Sequence, residues 1–256
     1  MKQKIQTAER VSQKDISDNY VFQRSVLAYV EAAKLIFGDV LEIGTGSGYG
    51  VEILSEKATS FVTVDKFPSE LGVELANKRA NVEFKQMNVP PLEGIPDDHF
   101  DFVVSFQVIE HIKKDVDFVK EIHRVLKPGG KFIVTTPNKP MSITRNPWHI
   151  REYTIQNLNE LLKNPFRSVE ARGVFGNEVV MKYYEDNKAS VHKVMRFDIL
   201  RIQWWAPRWI LQVPYDIMNR RNRNKLSDSG SHIKKEDYFV DSAKHGCFDL
   251  FYIALK

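Results

Sequence analysis

Short apolar runs, each closed by glycine, proline or a charged residue, alternate with stretches of helical period along the first half of the chain. The runs Val40 to Ile43, Phe61 to Val64, Val82 to Lys85, Phe100 to Ser105 and Lys131 to Thr136 predict strands, because brief β-branched and aromatic segments between breakers suit a buried sheet. Between them, Gly48 to Glu56, Ser69 to Arg79 and Asp115 to Leu126 predict helices, the last with Ile122, Val125 and Leu126 on one face. Lys127-Pro128-Gly129-Gly130 is expected to stop that helix and turn the chain into the fifth strand. Regular alternation with right-handed crossovers implies an α/β protein: a doubly wound, mostly parallel sheet with helices on both faces.

After Thr136 the pattern changes. Thr154 to Leu162 predicts a threonine-capped helix, Val169 to Val174 a strand, and Cys247 to Leu255 an aromatic-rich closing strand. Val179 to Trp205 is expected to be largely helical, with Pro207 and Pro214 breaking the next segment into shorter pieces. Ile16 to Phe37 predicts an amphipathic helix that closes over the ligand crevice, with Tyr20 or Arg24 reaching inward.

The first strand runs straight into Gly44-Thr45-Gly46-Ser47-Gly48-Tyr49-Gly50. Glycines there let the backbone take positive φ and approach a ligand without a Cβ in the way. The dinucleotide spacing G-x-G-x-x-G fails in both frames, since Tyr49 or Val51 stands at the third glycine position. What remains is E-x-G-x-G-x-G from Glu42. The second run ends in Asp65, 21 residues after Gly44, an offset that suits a carboxylate accepting from two ribose hydroxyls. The competing reading is a carboxylate capping the helix that starts near Pro68.

The glycine pattern resembles motif I of the class I S-adenosylmethionine-dependent methyltransferases. Asp65, Met87-Asn88-Val89, Phe106-Gln107-Val108-Ile109-Glu110-His111 and Leu126-Lys127-Pro128-Gly129-Gly130 follow in the order that family presents them. The resemblance covers roughly Phe37 to Val174 and the final strand. It implies a seven-stranded sheet whose sixth and seventh strands are antiparallel, with a helical insertion between them. The expected organisation is an N-terminal helical segment (1–37), a cofactor-binding core (38–175 and 246–256) and a cap (176–245). It further implies S-adenosylmethionine as cofactor and S-adenosylhomocysteine as product. Glu42, Gly44, Thr45, Gly46 and Gly48 would hold the methionine end, Asp65 with Lys66 beside it the ribose, and Asn88 the adenine amino group. Phe67, or Met87 and Val89, would pack on the adenine, and Phe106 joins the cofactor set. Many relatives carry Asp where this chain has Asn88, and an asparagine capping a turn is the other reading of that position.

Methyl transfer from a sulfonium needs an in-line approach and, for a weakly acidic acceptor, a base. His111 and His149 are the candidates, because loops at the carboxyl ends of parallel strands line the crevice. A structural role, bonding a loop, competes for His111. Some quinone-type and RNA-end methyltransferases carry E-x-x-E-H here with a divalent ion; in this chain Gln107 replaces the first carboxylate, so no metal is expected. Ser105-Phe106-Gln107-Val108 lacks the paired prolines with which nucleic-acid amino methyltransferases grip a base, so the expected acceptor is a hydroxyl on a small, sugar or lipid-linked molecule, not a nucleic acid.

Composition alters this picture in one region. The formal charge is +4, but His192 to Lys225 holds eight Lys or Arg against two Asp, so the rest of the chain is at −2. The same segment holds three of the four tryptophans. Residues 197–225 therefore fit either a cap packed on the core or a peripheral membrane contact, with rings at headgroup depth and Arg201, Arg208, Arg220, Arg221 and Arg223 on phosphates. The opening residues lack a signal-peptide core, no stretch approaches ~20 uninterrupted apolar residues, and Cys247 is the only cysteine, which together predict a soluble cytoplasmic protein, at most peripheral at the inner membrane surface. The alternative function is a catalytically inactive cofactor-binding or membrane-surface module of the same fold. Oligomeric state is not legible.

Overall fold

The computed structural model describes residues 15–196 and 202–256. Five parallel strands form first: β1 (Asp39–Ile43), β2 (Ser60–Asp65), β3 (Val82–Gln86), β4 (Phe100–Phe106) and β5 (Leu126–Pro137). Helices α1 (Asn19–Ala33), α2 (Tyr49–Ser55), α3 (Glu70–Lys78) and α4 (Asp115–Val125) precede or connect them. Then come α5 (Ile155–Lys163), β6 (Ser168–Gly176), α6 (Glu178–Met195), α7 (Ile202–Trp205), α8 (Arg208–Lys225), α9 (Ser227–Gly230), β7 (Tyr238–Ser242) and β8 (Asp249–Leu255).

The sheet order is β3-β2-β1-β4-β5-β8-β6-β7. The direction of winding reverses between β1 and β4, and a ligand crevice opens outside the carboxyl ends of strands at such a switch point. Three expectations are corrected. The sheet has eight strands, because Tyr238–Ser242 inside the insertion adds an antiparallel edge strand beside β6. Strand β6 itself is not antiparallel to the first five: β8 runs antiparallel to both β5 and β6, which leaves β5 and β6 pointing the same way. The Pro-Gly-Gly segment does not form a separate turn either. Helix α4 passes directly into β5, and the segment is a bulge, with Leu126 opposite Phe100 and Lys131 opposite Phe102.

Alternation along the strands divides two cores. Val40, Phe102, Val104, Phe251 and Ile253 face the layer of α1, α2, α3 and α6. Leu41, Ile43, Val103, Tyr252 and Ala254 face α4 and α5. Glu42, at the alternate position to Leu41 and Ile43, therefore points under α1. The N-terminal helix is fixed from its far side. Asp18, fully buried, accepts from Arg220 Nη1 at 2.9 Å and Arg223 Nη1 at 2.8 Å of α8. Asn19 Nδ2 donates to the carbonyls of Gly230 and Ile233, both at 2.8 Å.

Candidate active site

The first strand tip is tied to the second by Gly44 N–H donating to Val64 O at 2.8 Å. Gly44 (φ +100°) and Gly46 (φ +56°) both lie in the left-handed region, for different reasons. A Cβ on Gly44 would sit 2.3 Å from Val108 Cγ2, so that glycine admits the loop after β4. A Cβ on Gly46 would meet only Gly44 O, at 3.9 Å; this is the open side of the turn. Asp65 lies across from it. Gly46 N–H donates to Asp65 Oδ2 at 2.9 Å and Phe67 N–H to Oδ1 at 2.8 Å. The helix-capping alternative is not realised, since Ser69 caps α3 by accepting from Gly72 N–H at 3.2 Å. The carboxylate thus faces the glycine turn.

Beneath the turn, Glu42 is buried and accepts from Thr63 Oγ1 at 2.5 Å. With that proton committed, Thr45 Oγ1 must donate to Thr63 Oγ1, 2.6 Å away. Burial pushes the Glu42 carboxyl up to about 7, against the pull of the hydrogen bond from Thr63. Glu42 Oε1 finds no hydrogen-bond partner among the described residues. An orphaned carboxylate oxygen below an open glycine turn fits the cationic amino end of a ligand.

Beside Asp65, Met87 N–H donates to Asp65 O at 2.9 Å, which sets the third strand tip next to the carboxylate. Asn88 is exposed there, and Met87 and Val89 are half-buried against the core. The Lys66 ammonium lies 5.5 Å from the centroid of the Phe67 ring, which is 50% exposed. Phe106 turns its ring into the core, edge-on to Tyr29 at 4.7 Å.

At the tip of β4 the backbone of Gln107 takes φ +57°, rare for a residue with a side chain. Beyond it, a 3-10 turn (Ile109–His111) meets the loop that follows β5. His111 Nδ1 is 3.1 Å from Trp148 O, and its ring stands edge-on to His149 with centroids 5.1 Å apart. Glu152 Oε1 lies 2.9 Å from His149 Nδ1, and Asn146 Nδ2 lies 2.9 Å from Nε2. A carboxylate on Nδ1 and an amide donor on Nε2 both select the tautomer with its proton on Nδ1, leaving Nε2 the basic nitrogen.

Glu110 is buried, accepts from Thr136 Oγ1 at 2.9 Å, and is pushed up by burial while the two histidines pull it down. Glu110, His111 and His149 bring ligand-type atoms within 4.8 Å of one another. Sequence alone left Glu110 with His111 only; folding adds His149. Two imidazoles and a carboxylate are a set of metal-ligating type. Here both His149 nitrogens and His111 Nδ1 already have protein partners.

A buried ion pair joins α1 to the start of β8, Arg24 Nε to Asp249 Oδ2 at 2.8 Å. Arg24 also lies 5.7 Å from the ring centroids of Tyr20 and Phe248. Tyr20 and Arg24 are both packed beneath the N-terminal helix, Tyr20 stacked on Tyr183 at 4.4 Å and Arg24 in the ion pair. Sequence reasoning missed Asp249, Tyr29 and Glu152. Only the i, i+3 spacing of His149 and Glu152 offered a signal; nothing local joins Arg24 to Asp249.

A methyltransferase-domain family model matches residues 41–134, from β1 to β5. A probable S-adenosylmethionine-dependent methyltransferase of Mycolicibacterium smegmatis is 35% identical over 176 residues, covering 66% of this chain and 68% of that protein. A ubiquinone biosynthesis O-methyltransferase of Pseudomonas aeruginosa is 26% identical over 112 residues, 43% of this chain and 48% of its own length, so the chain spans about half of that relative. Among solved structures, the Burkholderia thailandensis 1,6-didemethyltoxoflavin-N1-methyltransferase, with 1,6-didemethyltoxoflavin and S-adenosylhomocysteine bound, is similar at TM-score 0.53 and 17% identity, covering 95% of this chain and 81% of that one.

Proposed function

The chain belongs to the class I S-adenosylmethionine-dependent methyltransferases, and we propose that it methylates a hydroxyl of a small, sugar or lipid-linked acceptor, with His149 as general base. S-adenosylmethionine supplies an electrophilic methyl on a sulfonium and leaves as S-adenosylhomocysteine. In this reading Glu42 and the Gly44–Gly48 backbone bind the methionine end, Asp65 the ribose, and Asn88 with Val89 the adenine. Lys66, exposed beside Asp65, lies at the ribose edge. His149 Nε2 takes the acceptor proton as the oxygen–methyl bond forms and the sulfur–methyl bond breaks, and Glu152 steadies the resulting imidazolium. His111 holds the loop through the Trp148 carbonyl and the edge of the His149 ring. Asn146 gives way to the acceptor oxygen at Nε2.

The observation that carries the base assignment is the 2.9 Å contact of His149 Nδ1 with Glu152 Oε1, because a base needs its proton-bearing nitrogen fixed and its other nitrogen directed. No metal takes part in this reading, since His149 acts through hydrogen bonds. Cytoplasmic action with peripheral contact at the inner membrane surface belongs to it; among the described residues no helix is long and apolar enough to cross a membrane. The test is transfer of labelled methyl from S-adenosylmethionine into cell extract, with mass spectrometry of the product. A labelled hydroxyl compound is expected. A protein that binds S-adenosylhomocysteine but labels nothing would instead be the inactive module of the same fold, and a labelled nitrogen or carbon would overturn the acceptor class.

A further inference from the structure

Helices α7 and α8 carry their polarity the wrong way round for a cap packed on a core. The inward side of α8 is polar. Asp216 is buried and accepts from Trp148 Nε1 at 3.0 Å, Arg208 Nη2 donates to Ile150 O at 2.6 Å, and Arg220 and Arg223 are paired with Asp15 and Asp18. These ion pairs also correct the expectation that Arg220 and Arg223 meet phosphates; Arg201 and Phe197 lie outside the described residues. The outward side is apolar. Trp209 is 73% exposed, Val213 61% and Ile217 47%, a stripe at four-residue spacing, and Trp204 and Trp205 stand 62% and 68% exposed on α7. Specific polar contacts hold this stripe outward, so it is not a core face that failed to find its core.

We propose that the exposed face of α7 and α8 binds the surface of an anionic phospholipid bilayer. Tryptophans at the level of the headgroups, on a helix lying in the plane of the interface, bury rings while keeping the indole N–H wet. Charge selects this occupant over an uncharged one. Arg221 and Lys225 of α8 and Lys193 and Arg196 at the end of the adjoining α6 are exposed; the acidic residue of α8, Asp216, is buried, and the exposed Asp228 of α9 and Glu185 and Asp186 further back on α6 offset the positive charge only in part. The face is also continuous with the candidate active site. Arg145, in the loop that presents His149, donates to the carbonyls of Gln203 at 2.9 Å and Trp204 at 3.1 Å, and Trp148 and Ile150, which contact α8, belong to the same loop. Resting on the proposed acceptor reading, this continuity directs the open end of the crevice toward the bilayer, where a lipid-linked hydroxyl would enter.

The test is sedimentation of the full chain with phosphatidylcholine vesicles, with and without about 30% phosphatidylglycerol. Binding is expected on the anionic vesicles, weakened by salt, with a blue shift of tryptophan emission. The triple variant Trp204→Ser, Trp205→Ser, Trp209→Ser should lose about tenfold or more in vesicle partitioning while keeping its thermal midpoint and its affinity for S-adenosylhomocysteine. Absence of binding to either vesicle overturns the proposal. So does a dimer in light scattering that the triple variant dissolves, which would make the face a contact between copies of the chain. Neither measurement involves acceptor turnover, so failure here leaves the methyl-transfer reading standing, and failure of that reading leaves this one testable.

Discussion

Arg24 and Asp249 meet at 2.8 Å, one from the first helix and one from the last strand, with side chains only 16% and 5% exposed. A buried pair of this kind stabilises little relative to a well-packed apolar pair, but losing one partner strands a charge. Arg24→Met should therefore cost about 3–5 kcal/mol, read from urea unfolding, and Arg24→Met with Asp249→Leu should recover most of it. Equal destabilisation in the single and double variants would remove the pairing argument.

Asp65 accepts from two backbone N–H groups and faces the open side of the glycine turn. Asp65→Ala should weaken S-adenosylhomocysteine binding by about 2 kcal/mol, roughly thirtyfold, as expected for losing charge-assisted hydrogen bonds. Calorimetric titration reads this directly, and unchanged affinity would discard the ribose role.

Gly44→Ala forces a side chain into positive φ and into Val108. Strain of about 1–3 kcal/mol is expected from the backbone alone, so both the thermal midpoint and S-adenosylhomocysteine affinity should fall. Gly46→Ala carries backbone strain at its own positive φ but meets no side chain, so it should lose less stability than Gly44→Ala while still losing affinity.

His149→Ala should depress turnover by about 10²–10⁴-fold with cofactor affinity unchanged. Glu152→Gln should lower kcat less and shift its pH profile, because it alters the His149 tautomer balance and not the nitrogen itself. A fully active His149→Ala variant would return the base to His111 or to none.

Glu42 titrates at about 7 when folded, against 4.5 for an ordinary glutamate carboxyl. Between those values the folded chain holds a proton that the unfolded chain has released. The corresponding stability is fully present below about pH 4.5 and is lost as pH rises through about 7, a decline of about 3 kcal/mol. Glu42→Gln should flatten that part of the profile, as measured by denaturant midpoints from about pH 4 to about pH 8; an unaltered slope would assign it to Glu110 or Asp249, which burial also pushes upward.

The parallel strands were legible because their runs are short, apolar and punctuated, and the residues proposed to face the cofactor could be picked out because they cluster at successive strand tips. Strand β7 was not, since Tyr238 to Ser242 alternates weakly and includes Asp241; it exists by pairing with β6. The Arg24–Asp249 pair was illegible for a related reason, as only the closed sheet brings those residues together. The outward tryptophans were visible as composition, but their direction is set by Asp216, Arg220 and Arg223, whose partners lie on other elements.

The attachment of Asp18 to both Arg220 and Arg223 means that the first helix and the inserted arm behave as one lever. Any motion that lifts α1 away from the glycine turn drags the tryptophan-bearing helix with it, or else breaks two ion bonds at a fully enclosed carboxylate. The first helix and the tryptophan-bearing helix are therefore expected to come apart together when the protein unfolds.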